Sequence, residues 1–243
     1  MARHRIARAS TLMAFVATIC GQAQLAAALT LDPADPSNFT SEGTQDATAG
    51  SVLTLLDTSV SDFISFFAAD SDAQAGNAVD VVATFQVLQT APNNVDTGNR
   101  VVISDGWTSS AIAASIILNG VRGIGLLSQG PTHDPASYPV FVPVDWQAAP
   151  VTIRLRRTAT GDAELVEIDG VAPNPRALLT SDQLPGPTHL GFPSVEFGAG
   201  SVEARATVAY SAFRSELVVP EPAAGSLLLA LAFTLVAALR QRP

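Results

Sequence analysis

The chain of 243 residues contains no lysine. Its 13 basic residues are all arginine, and they face 22 acidic ones, for a formal net charge of −9. Such a surface repels nucleic-acid phosphates, which excludes the classes of protein that bind DNA or RNA through a basic patch. Cysteine occurs once, as Cys20, so no disulfide can form within the chain. Histidine occurs three times, as His4, His133 and His189. These fall on no HExxH pattern and on no recognisable Ser/His/Asp motif, which leaves zinc-protease and serine-hydrolase chemistry without a sequence basis.

Long apolar runs are absent from the body of the chain and present at its ends. Ala223–Leu239 is 17 residues without a charge, roughly 25 Å as a helix, the short end of a membrane span. Leu227, Leu228, Leu229, Leu231, Phe233, Leu235 and Val236 leave it no polar face. Pro220 and Pro222 mark its start, because proline is poorly tolerated inside a helix. Arg240 and Arg242 flank its far side and orient that side to the cytoplasm. The ordered set Pro220-Glu221-Pro222, apolar run and terminal arginines resembles the PEP-CTERM sorting signal of Gram-negative bacteria. The resemblance implies recognition by exosortase, a membrane enzyme that cuts near the Pro-Glu-Pro motif. It also implies passage through the inner membrane, then a cell-surface or biofilm-matrix setting rich in exopolysaccharide.

The other end reads as a secretory signal peptide over residues 1–28. Arg3, His4, Arg5 and Arg8 form its positive part, Leu12–Ile19 its apolar part, and Ala26 and Ala28 a small-x-small cleavage site. Ile19 is too large for the residue before a lipidated cysteine, so Cys20 is expected to leave with the signal. Three parts are therefore expected: a signal peptide over 1–28, an exported domain over 29–219, and a sorting tail over 220–243 with a transmembrane helix over 223–239.

The exported span holds eight arginines and 21 acids, a net charge of −13. Its length suits one domain with a sizeable core. Leu31–Thr48, rich in Asp, Pro, Ser and Thr, reads as an opening arm. Beyond it, short β-like runs alternate with turn residues. Val52–Leu56, Phe63–Phe67 and Arg100–Ser104 are three. In Val79–Leu88, Val79, Val81, Ala83, Phe85 and Val87 share one face. Asn119-Gly120 predicts a tight hairpin between Ala114–Leu118 and Val121–Leu126, and Gly123 and Gly125 argue against a helix there. Val140–Trp146 reads as a strand. Val151–Leu155 and Ala163–Ile168 form a second hairpin that closes at Asp169-Gly170. Pro173–Pro187 reads as a connection, and His189–Phe197 and Val202–Phe213 as the last strands. Many strands with frequent Gly and Pro turns predict an all-β fold, an antiparallel sandwich. The segment Val142–Val171, with Asp145-Trp146 before the hairpin and Asp169-Gly170 after it, resembles the concanavalin A-like jelly roll of the laminin-G and legume-lectin type.

Three features carry candidate chemistry. Glu164, Glu167 and Asp169 lie on one strand. Jelly-roll glycosidases of the laminarinase type carry Glu–x–Asp–x–x–Glu; here Glu167 and Asp169 match, but Ala172 stands at the third position and cannot donate a proton. The cluster reads as a solvated strand face. Asp70-Ser71-Asp72 resembles a calcium loop only in its alternating oxygens and lacks a closing glutamate. Trp107 and Trp146 could stack on sugars, but tryptophan in a sandwich more often packs in the core. The sequence thus yields no catalytic residue, no metal ligand set and no cofactor. The expected function is a non-catalytic, lectin-like surface or matrix protein with exosortase, the membrane and exopolysaccharide as partners. A degenerate polysaccharide hydrolase or lyase and a purely structural surface protein are the alternatives.

Overall fold

The computed structural model describes residues 29–43, 46–58, 64–69, 78–90, 96–104, 110–128, 140–158, 160, 162–180, 194–199 and 206–218. The expected signal peptide and the apolar run Ala223–Leu239 lie outside these residues. Among the described residues no helix is long and apolar enough to cross a membrane.

Two antiparallel sheets make up the fold. The eight-stranded sheet runs in the order β13 (Ala177–Leu179), β12 (Ala163–Ile168), β11 (Val151–Arg157), β6 (Ala78–Thr90), β15 (Ala206–Val218), β4 (Leu53–Asp57) and β3 (Asp46–Thr48). Its eighth strand, β1 (Leu29–Leu31), pairs with β15 beyond the end of β4. The seven-stranded sheet runs β10 (Val140–Pro143), β9 (Val121–Ser128), β8 (Ser110–Leu118), β7 (Asp96–Ser104), β14 (Ser194–Ala199), β5 (Ile64–Ala69) and β2 (Thr40–Glu42). The expected all-β sandwich is what the chain forms.

Period-two patterning sets which residues face inward. In β11, Val151, Ile153 and Leu155 are buried while Thr152, Arg154 and Arg156 are half-buried on the other face. In β6 the expected face of Val79, Val81, Ala83, Phe85 and Val87 is buried. Between the sheets sits an aromatic group. Phe197 stacks on Phe66 at 5.4 Å and meets Phe39, Tyr210 and Phe213 at 4.7–5.3 Å.

Several boundaries differ from the sequence reading. The opening arm is not a loop: it supplies β1, β2 and β3 and sends Phe39 into the core. Segments of three residues can be strands here because each adds to strands already paired, so pairing and not patterning selects them. The same holds for β13 within the expected connection Pro173–Pro187. The strand Val140–Trp146 stops at Pro143, and Trp146 turns under the sheet at 1 % exposure. Its indole N–H donates to the Gly123 carbonyl at 2.9 Å. A Cβ on Gly123 would stand 2.5 Å from the Phe141 ring and from the Val142 carbonyl oxygen, so the close approach of β10 requires glycine there. The Asn119-Gly120 hairpin is as expected, with φ of 51° and 79°, positive at both central residues. β15 runs five residues beyond its expected end. A register shift between Tyr210 and Ala212 moves the inward set from Ala206, Val208 and Tyr210 to Phe213 and Ser215.

Tyr210 links the two sheets. It projects from β15 and its hydroxyl donates to the Gly198 carbonyl of β14 at 2.7 Å, with the Arg100 carbonyl of β7 at 3.3 Å. Asn99 Nδ2 donates to the same hydroxyl at 3.4 Å, and Ser115 Oγ donates to Asn99 Oδ1. Burial pushes the Tyr210 phenol well above its ordinary range, against the opposing pull of the Asn99 and Gly198 bonds. The folded state therefore holds a proton that an unfolded tyrosine loses near pH 10. The stability this lends is complete below that pH and falls as pH rises through the alkaline range. Urea unfolding should show Tyr210→Phe losing about 1–3 kcal/mol at pH 7, because the bonds to the Gly198 and Arg100 carbonyls go and the buried Asn99 amide loses an acceptor. The variant should also lose part of the alkaline fall. Equal stability for both proteins at both pH values would contradict this role.

Candidate functional site

Glu164, Glu167 and Asp169 lie beside the outer face of the eight-stranded sheet. Residues three apart on a strand normally face opposite sides, yet Glu164 and Glu167 share one. The reason is a bulge: Arg154 pairs with Glu167, but the next residue, Leu155, pairs with Leu165. Each carboxylate is engaged. Arg176 grips Glu164 with Nε and with Nη2, the latter at 2.7 Å. Arg154 Nη1 meets Glu167 at 3.0 Å. Asp169 Oδ1 accepts the Thr152 N–H at 2.8 Å, and the Asp169 N–H donates to the Thr152 carbonyl at 2.7 Å. The Arg176 hydrogen bond, opposed by burial, holds Glu164 below the usual carboxylate range. A carboxylate kept ionised is a poor general acid.

The centre of this face is Asp80, 3 % exposed. Arg156 grips it in a fork, Nε to Oδ1 at 2.6 Å and Nη2 to Oδ2 at 2.7 Å, and Arg154 Nε stands 3.5 Å from Oδ2. The Asp80 hydrogen bond raises the Arg156 pKa. Beside the ladder lies a shallow depression of about 350 Å³, lined in part by Thr84, Thr152, Arg154, Glu167, Gly170 and Arg214. The Thr84 and Thr152 hydroxyls bond each other at 2.9 Å. Two pairs of its polar groups are turned toward one another, Thr84 with Thr152 and Arg154 with Glu167.

The outer face of the seven-stranded sheet is different. Phe67 on β5, Glu196 on β14 and Val102 on β7 are cross-strand neighbours in one row; Ser65, Gly198 and Arg100 form the next. Arg100 Nη2 lies 2.9 Å from Glu196 Oε1 and donates to Ser65 Oγ at 3.0 Å. Phe67 is 36 % exposed. Farther along, Val102, Ile112, Ala114, Ile116 and Leu127 form a buried apolar cluster with Phe141 packed against it. An open ring beside a carboxylate–guanidinium pair offers what a sugar needs, an apolar platform with polar groups at its rim. Strand alternation carried the signal for this ring: Phe66 packs inward, so Phe67 must point out.

Phe67 and Glu196 stand two residues from the strand ends Ala69 and Ser194. Ser194 pairs with Ala69 and Ser104, Ser104 with Ser110, and Ala111 with Ser128, so these strands begin or finish at one edge. The segments 70–77, 105–109, 129–139 and 181–193 depart from that edge. They carry Asp70, Asp72, Trp107, His133 and His189, which lie outside the described residues, as do Ala26, Ala28, Pro220, Glu221, Pro222, Arg240 and Arg242. Among the described residues no three His, Cys, Asp or Glu side chains gather to hold a metal ion. Trp146 is buried beneath Arg122, whose guanidinium stands 5.6 Å from its ring, so it offers no stacking face.

No protein-family model and no curated protein matches the sequence. Solved structures do match the fold. The carbohydrate recognition domain of Emp46p aligns at 8 % identity and a TM-score of 0.51, over 74 % of this chain and 88 % of that one. The exoplasmic/lumenal domain of VIP36, in its Ca²⁺- and Man2-bound form, aligns at 12 % and 0.51, over 82 % and 91 %. A carbohydrate esterase from the Shiga toxin-encoding bacteriophage phi24B aligns at 9 % and 0.52, over 78 % and 97 %. At such identities the likeness is one of fold. The sandwich has the concanavalin A-like jelly-roll fold.

Asp80→Asn should destabilise the domain by about 1–3 kcal/mol in urea unfolding. That is less than the 3–5 kcal/mol of a fully buried pair, because Arg154 and Arg156 keep about 30 % of their side-chain surface in water.

Proposed function

We propose that residues 29–219 form a non-catalytic glycan-binding domain of an exported surface or matrix protein. The observation that carries this reading is Phe67, exposed beside the Glu196–Arg100 pair on the outer face of a lectin-like sandwich. Exopolysaccharide is the ligand class that fits the sorting signal in Pro220-Glu221-Pro222. The hydrolase alternative has less support: Arg176 and Arg154 hold Glu164 and Glu167, and Ala172 has no proton to give.

A glycan array probed with the secreted form, followed by calorimetry on the best ligand, tests the reading. Phe67→Ala should weaken binding roughly 2- to 10-fold with an unchanged unfolding midpoint. Binding by no glycan, or full affinity in the variant, would refute it.

In the same reading an exosortase cuts the tail, and the membrane is met through Ala223–Leu239 before that cut. Replacing Pro220, Glu221 and Pro222 by alanine should leave membrane insertion intact, since hydrophobicity and flanking charge suffice for it. The exported protein of an exosortase-bearing host should then keep its tail. Equal masses for wild type and variant would make the motif a plain linker.

A further inference from the structure

The strand directions determine the end of the sandwich from which the chain runs on past β15. β1 pairs with β15 so that Leu29 stands opposite Ser215, and Val218, at the end of β15, stands opposite Ala78 at the start of β6. Residues before 29 and after 218 therefore leave the eight-stranded sheet at one end, side by side. Arg157 stands opposite Val79, so the Thr160 turn belongs to this end as well.

The seven-stranded sheet is aligned with it through Tyr210. That residue lies four positions from the opposite end of β15, and its hydroxyl reaches the carbonyl of Gly198, one position from the far end of β14. Phe197, one step from Gly198 toward Ser194, packs on Phe213, three steps from Tyr210 toward Val218, so the Ser194 end of β14 is on the side of Val218. It follows that segments 70–77, 105–109, 129–139 and 181–193 depart from the end where the chain runs on toward the sorting tail.

Only Val219, Pro220, Glu221 and Pro222 separate β15 from the apolar run. Four residues span at most about 14 Å, and the two prolines restrict their bending. The four departing segments contain five aspartates and no arginine, a charge that anionic headgroups repel.

Resting on the reading of the tail as a membrane span, we infer that the uncut protein holds this end of the sandwich toward the lipid surface, standing off on a short, stiff linker. The lipid is met by the end that carries Thr160 and the Ser104, Ser110 and Ser194 strand ends; the far ends of β6 and β14 point away.

Single-cysteine variants of the full chain, with Cys20→Ser, test this in vesicles of phosphatidylethanolamine and phosphatidylglycerol. Thr160→Cys marks the near end. Leu88→Cys, 47 % exposed and ten residues along β6 from Ala78, marks a point about 33 Å away. Energy transfer from a dye at each position to an acceptor-labelled headgroup should be at least threefold greater at 160. Inserting about 20 Gly/Ser residues after Val219 should remove the difference. Equal transfer at both positions, greater transfer at 88, or a difference that survives the insertion would overturn the inference. A chain that does not float with vesicles would overturn it together with the reading of the tail. No arm involves a sugar, so failure to bind glycan would sink the proposed function and leave this inference standing.

Discussion

The Tyr210 hydroxyl ties the two sheets together. Tyr210 reaches across the aromatic core from β15 and donates to a backbone carbonyl of β14, while Asn99 and Ser115 complete its surroundings. Apolar packing alone is non-directional and would let two sheets slide. A buried hydrogen bond with a penalty for being unmade does not. It sets the height at which β14 and β7 stand against β15, and with it the position of Arg100 and Glu196 on the opposite surface. Gly198 supports this placement, since a Cβ there would lie 2.6 Å from the Ile64 carbonyl oxygen of the neighbouring strand.

The two outer faces divide the chemistry. On the eight-stranded sheet Asp80, Glu164 and Glu167 are each met by arginine, and guanidinium suits this because its fork can hold a carboxylate at two points. Four of the eight arginines of the exported span, Arg154, Arg156, Arg176 and Arg214, are used there. On the seven-stranded sheet Arg100 and Glu196 stand beside the open ring of Phe67, and the strand ends that launch the long connecting segments are two residues away. The glycan-binding reading belongs to this second face.

Strand periodicity, the hairpin at Asn119-Gly120 and the carboxylate pattern that lacks its third acid were legible in the residues. Alternation in β6, β11 and β12 is a local property, and local steric rules decide it. Edge strands were not legible, because β1, β2, β3 and β13 are too short to show a period and exist only by pairing. Nor was the true environment of Trp146, which depends on how closely β10 approaches Gly123. From residue types alone the carboxylate cluster reads as a solvated face. It is a paired one, since a bulge and two distant arginines decide what a glutamate meets.

The amino-acid order by itself determined the all-β class, the inward faces of the long strands and the polar character of the surface, because each follows from residue type and spacing along one strand. Tertiary structure alone decided that Phe67, Arg100 and Glu196 become neighbours. Residues 67, 100 and 196 lie on three strands far apart in sequence, and only sheet register, anchored across the core by Tyr210, brings them together.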